Sequence, residues 1–380
     1  MPRLITSGMN DRGNSMTSKK MVSSTSTYVL AGGRGSRLLP LTSHRSKPAV
    51  PFGDRRIIDF TLSNCLRSDL VHPHVITQYQ GAHLTQHVRR WWLEQSACAA
   101  DASASPVCVP APKSSYAGTA DALFRNLQSL NSDTEHALVL SADHIYDMDY
   151  QELLQSHVDS GADATLAAIV YPSEWSQQFG IIDVDRRNRI VGFEEKPPQP
   201  REIPGMPGKV LANMGIYVFR RDVLVAALRT DAADAMSSRD IGRSLIPHLV
   251  THKKVFAFQF NGYWKDVGTI DSYYEANMEW LPTLPATHRL AGSGSVIAQG
   301  VRIHPTAQVM ESILMPGVVI GENARIRRAI LDENVHVFPY TYVGFSDSEK
   351  RIAVVPANTV VTRETQTHAD RQPAFASLTL

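Results

Sequence analysis

The stretch YVLAGGRGSRLLPLTSHRSKPAV, residues 28–50, indicates the fold most directly. It begins as a buried strand, opens into three glycines, and then places four cations among small residues and prolines. A glycine-rich loop after a strand lets backbone N–H groups approach a polyphosphate, and nearby arginines neutralise its charge. No Gly-Lys-Ser/Thr follows, so the loop is not a P-loop, and Leu38 replaces the third glycine of the dinucleotide fingerprint. Taken alone, the stretch would be interpreted first as a glycine-rich turn with solvated arginines.

The chain from residue 28 to residue 278 alternates short apolar runs with longer amphipathic stretches. This alternation predicts an α/β domain with a doubly wound, mainly parallel sheet covered by helices on both faces. Ligands of such sheets bind outside the carboxyl ends of the strands, where Gly32–Arg37 and Asp143 both fall. The predicted strands are 28–30, 74–79, 137–143, 164–171 and 214–219, and the predicted helices are 56–69, 82–95, 119–130 and 149–161.

The sequence changes character after Trp280. Residues 281–295 are rich in Pro, Gly and Ser and predict a linker. Beyond them, apolar residues recur in pairs six positions apart, which is typical of a parallel β-helix built from hexapeptide repeats. Chance alternation in a β-sandwich is the alternative. The pairs are Ile303 and Val309, Ile320 and Ile326, Val337 and Val343, and Val354 and Val360.

The predicted organisation therefore has two domains and two tails. We expect a disordered N-terminal tail at 1–27, a catalytic domain at 28–280, the linker at 281–295, a β-helix at 296–365 and a C-terminal tail at 366–380. Four early methionines leave the start codon open, namely Met1, Met9, Met16 and Met21.

Composition excludes several classes of protein. The chain has 380 residues, 43% of them apolar and 20% charged, and its formal net charge is +1. This balance argues against a nucleic-acid partner, which would require a broadly basic surface. Three irregularly spaced cysteines argue against a disulfide framework and a structural zinc site. The sequence shows no apolar leader and no run of about 18 apolar residues, so we expect no membrane segment and a cytoplasmic enzyme.

Two acidic residues that follow apolar runs point to a metal site. Asp143 follows ALVLSA, and Asp266 lies in YWKDVGT. Two carboxylates at the same rim of a sheet could hold one Mg²⁺, which favours one or two carboxylates together with phosphate oxygens. Lys196, held between Glu195 and two prolines, suits a fixed phosphate contact. Each of these residues taken singly would also suit a surface ion pair.

Together and in this order, these segments resemble the nucleotidyltransferases that make sugar nucleotides, and most closely the bacterial ADP-glucose pyrophosphorylase (glucose-1-phosphate adenylyltransferase) family. The resemblance spans residues 28–365 and rests on LAGGRGSRL, KPAVPFG, RIIDFTLSNC, YAGTADAL, SADHIY, FGIIDVD, EEKP, MGIYVF and YWKDVGT. The pair KPAVPFG and RIIDFTLSNC is its specific part, because the UDP-, dTDP- and GDP-sugar relatives are not expected to carry it. The resemblance implies a Rossmann-like catalytic domain, a left-handed β-helix, Mg²⁺ as cofactor, ATP and glucose 1-phosphate as substrates, glycogen or α-glucan synthesis, and a homotetramer.

The resemblance also implies a role for each matching residue. Arg37 would contact the triphosphate, Asp143 and Asp266 would hold the catalytic Mg²⁺, and Lys196 with Glu195 would fix glucose 1-phosphate. The reaction needs little covalent work from the protein, which positions two polyanions and neutralises their charge. The implied nucleotide-binding residues are Leu30, Gly32, Gly33, Lys47, Gln78, Tyr116, Gly118 and Thr119, and the implied sugar-phosphate-binding residues are Gly180, Glu195, Lys196, Asn213, Asp240 and Trp264.

The chain departs from the family pattern where an effector would bind. His44 stands where many bacterial members carry a lysine that contacts a glycolytic activator. Glu333 aligns with an arginine that some enterobacterial members use for the same purpose. Losing two permanent cations predicts weak or altered activation by an anionic metabolite. Arg45, Arg56 and Arg363 remain as candidate effector contacts.

A second departure concerns the substrate. Asn213 replaces a serine that usually faces the sugar, and an amide can both donate and accept, so hexose recognition is either preserved or shifted. A sister sugar-1-phosphate nucleotidyltransferase with another nucleotide or a hexosamine 1-phosphate therefore remains open. A catalytically silent regulatory subunit is another alternative, although the retained catalytic residues argue against it. An acyltransferase built on the β-helix is a third, disfavoured by the small number of coils.

Overall fold

The computed structural model describes residues 16–96, 105–110, 112–130, 133–345 and 351–363. These residues form an α/β domain followed by a β-helix. The helices of the first domain are α1 Met16–Ser23, α2 Ile57–Arg67, α3 Gly81–Ser96, α4 Thr119–Phe124, α5 Tyr150–Asp159, α6 Arg221–Ala233, α7 Ile246–His252 and α8 Ile270–Trp280. Its strands are β1 Thr25–Ala31, β2 Pro51–Phe52, β3 Arg55–Arg56, β4 His74–Thr77, β5 Val107–Val109, β6 His136–Ser141, β7 His144–Tyr146, β8 Ala164–Pro172, β9 Gly180–Val184, β10 Ile190–Glu195, β11 Lys209–Arg220, β12 Val255–Gln259 and β13 Trp264–Asp266.

A nine-stranded mixed sheet forms the centre of the α/β domain. Its main order is β10-β9-β11-β6-β1-β4-β5, and β8 pairs with β11 and β12. β1 runs parallel to β4 and β6, whereas β11 runs antiparallel to β6 and β8. Successive side chains of a strand point to opposite faces. Leu138 and Val139 accordingly enter two different apolar cores, so both faces of the sheet are covered and the predicted α/β class is confirmed.

Capping groups fix where several helices begin. The Asp149 carboxylate accepts a hydrogen bond from Gln151 N–H at 2.9 Å, so α5 begins at Tyr150. A short polar side chain at this position satisfies a backbone donor that has no partner within the helix. Thr269 and Ser272 cap each other reciprocally at the beginning of α8.

Two short strands bring distant acidic residues together. β6 ends at Ser141, and the chain then turns through Asp143 into β7. β7 pairs antiparallel with β13, and in this pair His144 lies directly opposite Asp266. Asp143 and Asp266 therefore meet at the carboxyl edge of β6.

The second domain is a parallel β-helix, consistent with the predicted left-handed β-helix. Its strands form three faces, β14-β15-β18-β21-β24, β16-β19-β22-β25 and β17-β20-β23. Apart from β14, which pairs antiparallel with β15, each strand pairs in parallel with the strand one coil away. These strands are β14 Arg289–Leu290, β15 Ser295–Ile297, β16 Arg302–Ile303, β17 Gln308–Met310, β18 Ile313–Leu314, β19 Val319–Ile320, β20 Arg325–Arg327, β21 Ala329–Leu331, β22 His336–Val337, β23 Tyr342–Val343, β24 Ala353–Val355 and β25 Val360–Val361.

The predicted hexapeptide pairs hold for three coils and fail for the fourth. The first three pairs lie on two faces of the β-helix, as their spacing predicts. Val354 instead lies on the third face, opposite Ile330, and Val361 rather than Val360 stacks on Val337. Val360 is 49% exposed. The register changes because the last coil is longer: Val319 pairs with His336, whereas His336 pairs with Val360.

One apolar cluster joins the two domains. Leu38 and Val50 follow the glycine-rich loop, and they share this interdomain cluster with Tyr273 of α8 and with Val296 and Ile313 of the β-helix. Burial of apolar surface is the main favourable term in folding, so the cluster fixes the β-helix against the α/β domain.

The observed domain boundaries differ from the predicted ones. α1 and the beginning of β1 fall within the range predicted as a disordered tail, so that prediction is wrong for residues 16–27. Residues 1–15, the C-terminal tail at 366–380 and Cys98 lie outside the described residues. The predicted linker contains β14, and its Leu284 is buried in the interdomain cluster. Of the helices described, none has the length and apolar character needed to cross a membrane.

Candidate active site

The centre of the candidate site is a lysine held between two carboxylates. Lys47 Nζ lies 3.0 Å from Asp143 Oδ2 and 2.8 Å from Asp266 Oδ1. The side chains of Lys47 and Asp266 are 7% and 8% exposed, whereas that of Asp143 is 35% exposed. The cluster is therefore enclosed on the domain side and open on the Asp143 side.

The charges of this cluster stabilise one another. Burial alone would raise the pKa of the Asp143 and Asp266 carboxyls, but the Lys47 ammonium and the other neighbouring groups together outweigh it, and both pKa values lie below the ordinary value. The same carboxylates raise the pKa of Lys47, although its burial acts in the opposite direction. All three groups are therefore charged at neutral pH, and together they carry one net negative charge.

The glycine-rich loop is shaped by its contact with Lys47. Gly35 has a φ of 66°, which is in the left-handed region that favours glycine. A Cβ at Gly35 would lie 2.7 Å from Lys47 Cβ, so a larger residue could not close the loop onto this lysine. Arg37 follows in a short helical turn, and its guanidinium would lie 2.8 Å from a Cβ at Gly268. The loop thus carries a second cation to the edge of the acidic cluster.

The residues predicted to bind the nucleotide lie at strand and helix ends around this loop. Leu30 ends the pairing of β1 with β6, and its carbonyl accepts from Ala142 N–H. Gly32 packs on Gln78, whose Cβ would lie 3.1 Å from a Cβ at that glycine. Gly33 follows and is exposed. The predicted residues of β1 and its loop thus share one edge of the sheet with Gln78, which follows β4.

A second nucleotide segment begins α4. Gly118 lies against Arg239, whose carbonyl oxygen would be 2.3 Å from a Cβ there. Thr119 donates a hydrogen bond to Asp240 Oδ2 at 3.0 Å and accepts one from Ile241 N–H at 2.8 Å. Tyr116 precedes this turn. Because Asp240 was predicted to bind the sugar, this hydrogen bond connects the nucleotide segment to the sugar segment.

Two of the residues predicted to bind the sugar phosphate, Glu195 and Asp240, lie close to two glycines, Gly180 and Gly242. Gly180 and Glu195 are direct partners in the β9–β10 pair. Glu195 Oε2 would lie 3.0 Å from a Cβ at Gly180 and 2.9 Å from one at Gly242, and Asp240 Oδ1 would lie 3.4 Å from the latter. Lys196 has its Nζ 3.4 Å from Glu195 Oε1. The structure thus gathers two carboxylates and a lysine at one place, with no side chain on the glycines between them.

Trp264 belongs to a group of packed aromatic side chains next to Gly180, because its partner Phe179 directly precedes that glycine. It makes edge contacts with Phe179, Tyr171 and His144 at centroid distances of 5.3, 5.8 and 5.1 Å. Its indole Nε1 is buried and has no hydrogen-bond partner among the described residues. A buried donor of this kind is an expected contact for a ligand oxygen.

Asn213 is engaged within the protein. Its Nδ2 donates to the Tyr217 hydroxyl at 2.8 Å, and its Oδ1 accepts from Gly215 N–H at 3.2 Å. The pairing of β11 with β8 shifts register between Asn213 and Tyr217, and this irregularity brings the two side chains together. Both ends of the amide therefore have partners in the bulge.

The predicted effector residues separate into two groups. The Arg45 guanidinium is fully buried and contacts Asp332, and its Nη1 lies 3.1 Å from Glu333 Oε2. Arg56 Nη2 lies 3.5 Å from Glu333 Oε1. His44 lies next to this group. Partial loss of solvation and the positive charge of Arg45 both lower the pKa of its imidazole.

Arg363 belongs to the second group, on the last coil of the β-helix. Its Nε donates to the Tyr340 carbonyl at 3.1 Å, and its guanidinium lies over the Tyr340 ring. The structure thus brings Arg45, Arg56 and Glu333 together at the domain interface and places Arg363 against Tyr340.

Sequence reasoning missed His144. Its Nε2 lies 3.6 Å from Asp143 Oδ1 and 4.0 Å from Asp266 Oδ1. Among the described residues, Asp143, His144 and Asp266 form the one group with three donor atoms close enough to hold a metal ion. The adjacency of His144 to Asp143 in SADHIY was the available signal, but its position opposite Asp266 depends on the β7–β13 pairing.

Comparisons with known proteins agree with the two-domain architecture. The family model "Nucleotidyl transferase" matches residues 26–282, and "GlmU-like, C-terminal hexapeptide" matches residues 291–362. The chain is 38% identical to glucose-1-phosphate adenylyltransferase 2 of Vibrio cholerae, across 87% of this chain and 97% of that protein. It is 36% identical to the glucose-1-phosphate adenylyltransferase of Koribacter versatilis, across 88% and 94%. It is 39% identical to that of Shewanella sp. (strain ANA-3), across 84% and 81%.

Proposed function

Since this chain belongs to the glucose-1-phosphate adenylyltransferase family of nucleotidyl transferases, we propose that its cleft transfers the adenylyl group of ATP to glucose 1-phosphate. The products are ADP-glucose and pyrophosphate, and the reaction serves glycogen or α-glucan synthesis. The observation that carries this proposal is the cluster of Lys47, Asp143 and Asp266, with Arg37 beside it at the end of a glycine-rich loop. This set can bind both a polyphosphate and a divalent cation.

The cofactor that we propose is Mg²⁺. Asp143, His144 and Asp266 each offer a donor atom, and these atoms lie within 4.8 Å of one another. Two ionised carboxylates at the open edge of a cleft fit Mg²⁺, which completes its oxygen ligands with substrate phosphates and water. When bound, the ion would supply positive charge to the phosphates.

The residues of the chain position the two anionic substrates. An oxygen of glucose 1-phosphate attacks the α-phosphorus of ATP, the bond from this phosphorus to the β-phosphate breaks, and pyrophosphate leaves. We assign Arg37 to the departing pyrophosphate because it lies on the glycine-rich loop next to the acidic cluster. Lys196 would bind the phosphate of the sugar, and Glu195 and Asp240 would accept hydrogen bonds from its hydroxyls. Bringing both anions into one cleft accounts for much of the rate enhancement in such a reaction.

Hexose recognition should not depend on Asn213. Its amide is hydrogen-bonded to Tyr217 and Gly215, so we propose that it shapes the bulge of β11 and that Glu195 and Asp240 select the sugar. We propose glucose 1-phosphate as the sugar substrate because the relatives that this chain resembles are named glucose-1-phosphate adenylyltransferases.

We propose that activation by an anionic metabolite is weak. Glu333 already lies near Arg45 and Arg56 at the domain interface, at 3.1 and 3.5 Å, and a phosphate would have to compete with this carboxylate. His44 adds no permanent cation, because its pKa is lowered.

A homotetramer in the cytoplasm completes the proposal. Exposed apolar side chains on the β-helix, among them Phe338, Tyr340 and Val360, support an assembly that covers them. Cys65 and Cys108 are free thiols, which suits a reducing compartment.

Pyrophosphate release by the purified protein tests the proposal. The protein is incubated with Mg²⁺, glucose 1-phosphate and one of ATP, UTP, dTTP or GTP, and glucosamine 1-phosphate replaces the sugar in a parallel series. We expect release with ATP and glucose 1-phosphate, without any activator. Preference for another pair would indicate a sister activity, and no release under any condition would indicate a silent subunit.

A further inference from the structure

The Lys47 ammonium occupies the space between the carboxylates that are proposed to hold the metal. Its Nζ contacts Asp143 Oδ2 at 3.0 Å and Asp266 Oδ1 at 2.8 Å, and its side chain is almost fully buried. Lys265 is adjacent to Asp266 in the same strand, but its Nζ pairs with Glu275 and Glu279. Lys47 therefore contacts one oxygen of each carboxylate, whereas Lys265 pairs with two glutamates.

The cluster needs a cation whether or not a metal is present. Two carboxylates that face each other in a partly enclosed site repel, and a cation between them keeps both ionised. The ammonium provides this charge in the structure. Mg²⁺ ligated by the same oxygens would lie about 2.0–2.1 Å from them. An ammonium at 2.8 Å from those oxygens cannot share that space, because two cations so close together repel strongly.

The backbone and Cβ of Lys47 are held in place, and only the outer part of its side chain can move. Residues 47–49 form a buried helical turn, and a Cβ at Gly35 would lie 2.7 Å from Lys47 Cβ. The stem therefore stays packed against the glycine-rich loop. An ammonium that leaves the carboxylates remains next to this loop, on which the phosphates of the proposed reaction would lie.

We propose that Lys47 is the resident counter-ion of the metal site, that the divalent cation displaces it, and that the displaced ammonium then contacts the phosphates. The proposal rests on the proposed function, because it takes the phosphates of that reaction as the second partner. In the absence of substrate, Lys47 acts as a positioning residue that keeps Asp143 and Asp266 together. It also makes the site bind a free metal ion weakly and favours entry of the metal together with the nucleotide.

The test measures Mn²⁺ binding to the full-length protein without nucleotide or sugar phosphate. The electron paramagnetic resonance signal of free Mn²⁺ gives the dissociation constant of wild type and of Lys47→Met. We expect Lys47→Met to bind Mn²⁺ at least about tenfold more tightly, because a competing cation is gone. Lys265→Met is the matched control, since it removes the same charge beside Asp266, and its affinity should stay within about twofold of wild type.

Two results would overturn the proposal. One is a Lys47→Met variant that binds Mn²⁺ no more tightly than wild type. The other is an equal gain in Lys265→Met, which would show a general effect of charge. A measurement on wild type alone covers the case in which Lys47→Met fails to fold.

In that measurement, reductive methylation of lysines is followed by mass spectrometry with and without saturating Mg²⁺. The ion should accelerate modification of Lys47 and leave that of Lys265 unchanged, and an unchanged rate at Lys47 would refute the displacement. Neither readout involves catalysis. A protein that releases no pyrophosphate would therefore refute the proposed function through a different result from the one that decides the role of Lys47.

Discussion

Replacing Arg45 with methionine tests the ionic contact that joins the two domains. The Arg45 side chain is fully buried and contacts Asp332, which is also fully buried, and Glu333. Methionine has a similar length and no charge, so Arg45→Met leaves Asp332 in a low-dielectric site without its partner. Removing one member of a buried pair costs about 3–5 kcal/mol, and we expect the free energy of unfolding to fall by about this amount.

The loss should depend on pH in a definite direction. Burial raises the pKa of Asp332 even with Arg45 present, and removal of the guanidinium raises it further. A carboxyl whose pKa is higher in the folded than in the unfolded state loses stability as the pH rises toward and through the folded value. The deficit of Arg45→Met relative to wild type should therefore be larger at pH 8 than at pH 5.

Urea denaturation of the full-length proteins at both pH values measures these energies. Arg67→Met is the matched control, because Arg67 pairs with Asp147 where the two side chains are 54% and 67% exposed. Exposed pairs contribute about 0–1 kcal/mol, so the control should lose little. A loss at Arg45 no larger than the loss at Arg67, or a deficit that shrinks as the pH rises, would contradict the reasoning.

Three further predictions concern the cleft and the core. Arg37→Ala should lower kcat for pyrophosphate release by about 10²-fold or more with an unchanged circular dichroism spectrum, and a near-normal rate would remove Arg37 from the mechanism. Asn213→Ser should lower the free energy of unfolding by about 1–3 kcal/mol, because the Tyr217 hydroxyl loses its partner. Its preference for glucose 1-phosphate over glucosamine 1-phosphate should change by less than about threefold, and a larger change at unaltered stability would show that Asn213 faces the sugar. Burial lowers the pKa of His157 to about 3, so stability should fall as the pH drops from about 6.5 toward 3, by up to about 1.4 kcal/mol per pH unit. Acid denaturation of His157→Gln should show a slope smaller by that amount, and equal slopes would count against a neutral His157.

Five strands and four helices of the α/β domain could be predicted because their signals are local, whereas β7, β9, β10, β12, β13 and α6 to α8 were not predicted. The apolar run at 28–30 lies within β1, and the amphipathic stretch at 82–95 lies within α3. The hexapeptide pairs likewise predicted most of the β-helix. Val360 was assigned wrongly because the extra residues of the last coil change the phase, and periodicity alone cannot detect a change in coil length.

The candidate site was predicted as a set of residues but not as a set of contacts. Arg45 meets Asp332 across 287 positions of the sequence, and no spacing rule connects them. Lys47 lies between two carboxylates only because β13 pairs with β7. Asn213 was expected to face the sugar, whereas an irregularity in β11 turns its amide toward Tyr217. Such contacts depend on how distant elements pack, which the local sequence does not encode.

The interdomain cluster limits how this polypeptide can be cut or recombined. Leu38 and Val50, which follow the glycine-rich loop, share one continuous core with Val296 and Ile313. A truncation after residue 280 would expose apolar side chains of this core to solvent. A chimera that takes its β-helix from a relative would have to import the facing side chains as well as the repeats. The two domains are separate in sequence, yet the position of the glycine-rich loop depends on side chains from both, so they would have to be exchanged or evolve together.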